Sequence, residues 1–285
     1  VMILLLFPSI TLAESSGVLN EEPPNTQVEF ILLTKSESKN ISHAVISSSG
    51  NRVVYVVEES TGASIFVVNS DGSDESLLFE SGKLTDPKNS NIHFRLQSTC
   101  TPTISGDGNT VAFSVEELPG EEIGRYLLIY NFSRTDWQGP EIVDFKDLSK
   151  KDYDYDVYII GTPSISYDGS VIVTAISFKY FDIWDSCIVK TDKSGAGPFS
   201  ILHFDSFKYT LGGDPVVSGN GEKVIFCGRK EDDYNSPYVL YLMNSDGSSL
   251  KNISPTGTIL GRYGGGEYHI STAGNTVGLR CEDIN

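Results

Sequence analysis

An all-β chain assembled from repeated hairpins is what this sequence predicts, and three observations predict it. A short motif recurs five times: Ser, two or three small or polar residues, Gly, then an apolar strand. Each copy is followed at similar spacing by further strand patterns. No window of about 12 residues sustains apolar spacing at the helical period. The motif glycines are Gly50, Gly108, Gly169, Gly221 and Gly274, in steps of 58, 61, 52 and 53 residues. A period of that size marks an array of supersecondary units.

Each unit can be justified strand by strand. The first strand ends on Ile46-Ser47, Ile104-Ser105, Ile165-Ser166, Val217-Ser218 or Ile270-Ser271. Three residues beyond each glycine the second strand opens on Val53, Val111, Ile172, Val224 or Val277. Tyr55, Phe113, Phe226 and Leu279 follow two residues later, and Thr174 breaks the pattern. Apolar residues at every second position, on both sides of a Gly/Asn/Asp turn, describe two half-buried strands joined as a hairpin. Asp107-Gly108, Asp168-Gly169 and Asn220-Gly221 supply the positive φ such a turn requires. The repeat serines read as turn residues whose hydroxyls satisfy backbone groups.

Third strands are expected in 64–73, 125–133, 185–195 and 239–249, each ending in a turn cluster. Short fourth strands follow in SLLF, EIVDF, FSILHF and LKNIS. Four antiparallel strands per unit make a propeller blade. After Gly274 about one strand remains before Asn285. Near the start, VEFILLTKSESKNIS (28–42) matches VLYLMNSDGSSLKNIS (239–254). The expected architecture is therefore a β-propeller of five four-stranded blades. Its last blade is closed by the N-terminal strands in a 2+2 arrangement, which leaves no open sheet edge.

The repeats, best seen in DPVVSGNGEKVIFCGRKEDDYNSPYVLYLMNSDGSSLKNIS (214–254), resemble the WD40-like repeats of the TolB propeller family. The resemblance covers about residues 28–285. It departs from the family in lacking the usual Trp or Pro just ahead of the turn, and in giving five blades where TolB has six. The family includes propellers attached to peptidases and some polysaccharide lyases, so the resemblance implies an interaction surface more than one reaction.

Residues 1–13, VMILLLFPSITLA, read as a signal peptide, with Thr11 and Ala13 at the minus-three and minus-one positions. Residues 14–27 read as a flexible leader and 28–285 as the propeller domain. The chain is thus expected to be exported, to a periplasmic, extracellular or cell-surface location. The 1–13 run is too short to span a bilayer, and no other segment is apolar enough. With 21 Lys and Arg against 38 Asp and Glu, the net charge of −17 excludes a nucleic-acid binder. Cys100, Cys187, Cys227 and Cys281 form no C-x-x-C pair, which leaves disulfides or buried thiols open. Asn40, Asn131 and Asn252 begin glycosylation sequons.

Seven residues before the motif glycines stand His43, Thr101, Thr162, Asp214 and Glu267, at the start of the innermost strands. They are expected to form a polar ligand-binding ring on the channel face, with Ser42, Cys100, Gly161, Gly213 and Gly266 beside them leaving room. The strand two-to-three loops add acid: Glu58-Glu59, Glu116-Glu117, Glu121-Glu122, Asp182, Asp185, Glu231-Asp232-Asp233 and Glu282-Asp283. Such a rim would attract a cation or a basic segment. Trp184, with Tyr180 and Phe181, is the aromatic candidate for stacking on a sugar or anchoring a peptide.

The reading that explains most of this is a non-catalytic scaffold binding a protein or glycan through an acidic channel face. The alternative is a carbohydrate-active hydrolase or lyase using Asp214 and Glu267, assisted by His43 or His269. No cofactor is required. Calcium or another divalent cation is the one metal the carboxylates admit, although 151–156 (KDYDYD) departs from an EF-hand loop. No G-x-S-x-G motif supports a serine nucleophile. Oligomeric state is not set by the sequence.

Overall fold

The repeated hairpins fold as expected, and the first four bring two outer strands with them. The computed structural model describes residues 4–8, 28–32, 40–60, 62–86, 89–97, 101–118, 124–135, 139–145, 148, 156–180, 183–204, 209–230, 238–254 and 267–280. β1 (Leu4–Pro8) and β2 (Val28–Leu32) pair with each other. The first blade is β3 (Asn40–Ile46), β4 (Arg52–Glu59), β5 (Gly62–Asn69) and β6 (Ser76–Glu80), paired in that order. The second contains β7 (Thr85–Asp86), β8 (Asn89–Leu96), β9 (Thr103–Ile104), β10 (Thr110–Leu118), β11 (Arg125–Asn131) and β12 (Glu141–Asp144). The third contains β13 (Asp156–Ile160), β14 (Ser164–Ile165), β15 (Ile172–Tyr180), β16 (Ile183–Thr191) and β17 (Phe199–Phe204). The fourth contains β18 (Tyr209–Leu211), β19 (Val216–Val217), β20 (Lys223–Lys230), β21 (Val239–Asn244) and β22 (Lys251–Asn252). A final pair is β23 (Glu267–Ile270) with β24 (Val277–Arg280). Pairing is antiparallel throughout, and no α-helix occurs among the described residues.

The repeat serine has one role in all five hairpins. Its hydroxyl accepts the backbone N–H five residues on: Arg52, Thr110, Val171, Lys223 and Thr276, at 2.9–3.2 Å. The same serine's N–H donates to that residue's carbonyl, as from Ser105 to Thr110 and from Ser218 to Lys223. The motif glycines take φ of 72–78°, where a side chain is strained. The hairpin tips then join neighbouring blades. Ser49 N–H donates to Gly106 O, Asp107 to Tyr167, Tyr167 to Gly219, and Asn220 to Thr272. Innermost strands therefore follow one another in sequence order, β3 beside β9, β9 beside β14, β14 beside β19 and β19 beside β23.

The core lies between blades. Alternation on the second strand sends Val54 and Val56 toward the next blade, where they meet Val111, Phe113 and Val115. Phe79 and Phe113 meet edge to face at 5.4 Å, as do Phe94 and Tyr126 at 5.3 Å. Three further apolar layers repeat this arrangement down the array. Burying such side chains contributes about 1.5–3 kcal/mol each. Cys187 and Cys227 are buried thiols within these layers, and burial pushes the Cys227 thiol up to about 12. Cys100 and Cys281 lie outside the described residues.

One expectation needs correction. Asn40–Ser42 was matched to a fourth strand of the closing blade, but Asn40 and Ile41 pair with Glu58 and Val57 as the innermost strand of the first blade. The apolar alternation of 40–46 against β4 decides that register. β2 meanwhile pairs with β1, and the described partner of β24 is β23.

Candidate functional site

The ring positions do not start the innermost strand; they interrupt it. In blades two to four that strand comes in two pieces, β8 and β9, β13 and β14, β18 and β19, each piece paired with the same second strand. The gaps hold Thr101-Pro102, Thr162-Pro163 and Asp214-Pro215. Proline has no N–H for the ladder, so the strand yields there. In the first blade the same level carries a bulge, with Ile41 opposite Val57 and His43 opposite Val56. In the last blade Glu267 stays in register opposite Arg280.

The interruption brings Thr162 and Asp214 together. The Asp214 carboxylate accepts hydrogen bonds from both the backbone N–H and the hydroxyl of Thr162, one blade away. A Cβ at 161 would stand 2.0 Å from Asp214 Oδ1, so a larger residue there would displace that carboxylate. Asp214 keeps accessible surface, yet protein crowds its carboxyl. Burial raises its pKa above the ordinary value, and the two Thr162 bonds pull it part of the way back. The Tyr268 hydroxyl, from the last blade, donates to the Asp214 carbonyl at 2.5 Å. Burial raises the Tyr268 phenol well above its usual range. On the other side, Ser114 and Thr174 hydroxyls both donate to Gly161 O, at 3.2 and 2.9 Å. Gln97 Nε2 donates to Ile160 O at 2.9 Å. Thr174, the break in the apolar pattern, is thus explained.

The other candidates sit apart from this contact. His43 is exposed, its Nδ1 3.1 Å from the Ser42 hydroxyl. His269 is exposed on β23, and Thr101 is half-buried in its gap. Glu267 and Trp184 occupy strands, but their side chains lie outside the described residues, as do most of the acidic loops and 151–155. Among the described residues no group of three His, Cys, Asp or Glu is placed to hold a metal ion.

The acidic rim is also interrupted where it can be seen. Glu58 and Glu59 are exposed, but Glu116 is buried and neutralised. Arg95 Nε approaches it at 2.6 Å and Arg125 Nη2 at 3.6 Å. Glu117 accepts the Tyr126 hydroxyl. Sequence reasoning missed these arginines, and it missed Tyr268 and Gln97. The signal it overlooked was the proline following Thr101, Thr162 and Asp214.

No family model matches the sequence, and no curated protein matches it. Among solved structures, the apo form of prolyl oligopeptidase B from Galerina marginata is similar with a TM-score of 0.51 and 12% identity, over 85% of this chain and 34% of that one. A prolyl endopeptidase gives 0.51 and 12%, over 82% and 31%. TolB from Acinetobacter baumannii gives 0.48 and 13%, over 89% and 53%. Antiparallel blades stacked in sequence order make this a propeller-like fold. The chain spans about a third of the length of the peptidases it matches. At such identities the likeness is one of fold. No described helix is long and apolar enough to cross a membrane.

Proposed function

We propose that this chain is an exported, non-catalytic propeller that binds a protein or glycan through its channel face. The observation that carries the reading is the Thr162–Asp214 contact. A carboxylate, a hydroxyl and a free strand gap meet there across two blades. Thr162 and Asp214 lie in strand gaps outside the ladder, the kind of non-strand position from which a rigid scaffold commonly presents binding residues. The −17 charge biases that face toward cationic groups. Export rests on the apolar run 1–13, and mass determination of the secreted chain tests it by locating the new N-terminus.

The binding test is calorimetric titration with a lysine-rich peptide and a glycan panel. Saturable binding that is at least tenfold weaker in Asp214→Asn supports this site. Unchanged binding in that variant moves the contact surface elsewhere.

The raised Asp214 carboxyl favours a second reading, a carbohydrate-active hydrolase or lyase with Asp214 as acid and Glu267 as its partner. Glycan cleavage abolished by both Asp214→Asn and Glu267→Gln would establish it. Calcium or another divalent cation at this face is tested in the same titrations.

We also propose that the ring is closed by β2 docking on β24, giving five blades. Val53, Tyr55 and Val57 support it, being 0–2% exposed on the face of blade one turned away from blade two.

A further inference from the structure

A cavity opens at the hairpin-turn end of the strands, away from Thr162 and Asp214. It measures about 430 Å³ and lies between the first two blades, lined by Arg52, Asn69, Asp74, Leu77 and Phe132 among others. That size falls within the roughly 300–1,000 Å³ of small-ligand sites.

Two opposite charges line it without pairing to each other. Arg52 donates from Nη1 to Gly108 O at 3.0 Å and lays its guanidinium over the Phe132 ring, 5.0 Å from the centroid. No carboxylate stands within ion-pair distance of it among the described residues. A guanidinium carries five N–H donors in a planar fork, so others remain to bind a carboxylate. The fourth blade shows the contrast. There Lys223, at the same repeat position, bonds Asn244 of its own third strand at 2.5 Å. In the first blade the corresponding Asn69 holds Ser73 and Asp74 much as Asn244 holds Ser248 and Ser249, but Arg52 reaches past it to Gly108 O and the Phe132 ring of the next blade.

Asp74 is exposed and accepts one hydrogen bond, from Asn69 Nδ2 at 2.9 Å. Its backbone is left-handed, with φ 54°, a conformation uncommon outside glycine. Between the two charges the wall is apolar. Val67 and Leu78 are buried, and Leu77 is 48% exposed at the rim.

We propose that this cavity binds a free α-amino acid with an aliphatic or aromatic side chain. Arg52 takes the carboxylate, Asp74 takes the ammonium group, and the side chain lies against Leu77 and Phe132. The pairing supplies the anion that Arg52 lacks on a chain with a surplus of acid, and the cation that Asp74 lacks.

Calorimetric titration of the whole chain with L-leucine and L-phenylalanine tests it. Their N-acetyl and carboxamide derivatives each remove one charge. One-to-one binding is expected, weakened at least about tenfold by masking either charge. Arg52→Gln should weaken the free amino acids alone and spare the carboxamides. Asp74→Gly, which the left-handed backbone favours and which therefore folds, should lose the ammonium contact to the same degree. Absence of binding at about 10 mM overturns the proposal. So does binding indifferent to the derivatives and to both variants.

Discussion

At Ser218 one buried hydroxyl holds a whole hairpin. It accepts Lys223 N–H at 3.0 Å and donates to Asn220 Oδ1 at 2.7 Å, with no exposed surface. Ser218→Ala strips the acceptor and leaves a dry gap. A cost of about 1–3 kcal/mol in urea unfolding is expected. Asp214 and Asp168 should respond to pH with opposite signs. Burial raises Asp214, so in the folded chain it holds its proton longer than when unfolded. Its stabilising contribution is full below the unfolded value, near 3.9, and fades as pH rises through the folded one. Asp168 is lowered by the Ser170 hydroxyl and N–H, against some burial. Its contribution is present above the unfolded value and is lost as pH falls through the folded one. Thermal midpoints followed from about pH 7 downward should therefore converge on wild type from above in Asp214→Asn and from below in Asp168→Asn. The same sign in both variants would mean that the Thr162 bonds, not burial, dominate at Asp214.

At the scale of the hairpin, backbone conformation and blade contact can be separated by two glycines. Gly82 has φ 80° with nothing within 4 Å of an added Cβ. Gly221 has φ 73°, and its Cβ would stand 2.9 Å from Val171 of the preceding blade. Gly82→Ala should cost roughly 1–2 kcal/mol, the left-handed penalty alone. Gly221→Ala adds overpacking of a further 1–3 kcal/mol or so, read as a larger fall in the denaturation midpoint. Equal losses would show that the blades can shift apart at their tips. These hairpins were legible in the sequence because turn chemistry and period-two alternation are local: serine, glycine and the apolar residues after it carry the whole instruction. The gap in the innermost strand was legible only in part. The ring positions stood out as polar, but the prolines beside Thr101, Thr162 and Asp214 were not read as ladder breaks. The upstream pieces β8, β13 and β18 were therefore missed. The Thr162–Asp214 contact itself depends on how far one blade rotates against the next, which no local pattern records. Arg95 and Arg125 meet Glu116 for a different reason, since both stand opposite it in the ladder of the second blade, and that register was hidden once β8 was missed.

For the molecule as a whole, the proposed closure of the ring can be tested through the strand it would set beside β24. In blades two to four the residues three and five positions after the motif glycine face the preceding blade, as Val111 and Phe113, then Val224 and Phe226, do. The same positions in the first blade are Val53 and Tyr55, at 1% and 0% exposed, so that face is covered as well. The fourth blade supplies the register for closure. There Val224, Phe226 and Cys227 lie opposite Met243, Tyr241 and Leu240. Carrying that register through the two matching segments puts Val277 opposite Leu32, Leu279 opposite Phe30, and Arg280 opposite Glu29. Two apolar pairs and one pair of opposite charges meet, as cross-strand neighbours should. With β1 removed together with residues 1–13 on export, β23, β24 and β2 would then form three strands of that blade. Glu29→Lys and Arg280→Glu should each lower stability by about 0.5–1 kcal/mol, and the double exchange should restore it. The coupling should shrink in high salt, because an edge pair is screened. Additive losses in the double variant would place β2 elsewhere, and the array would then end on an open strand, a standing site for addition of another chain.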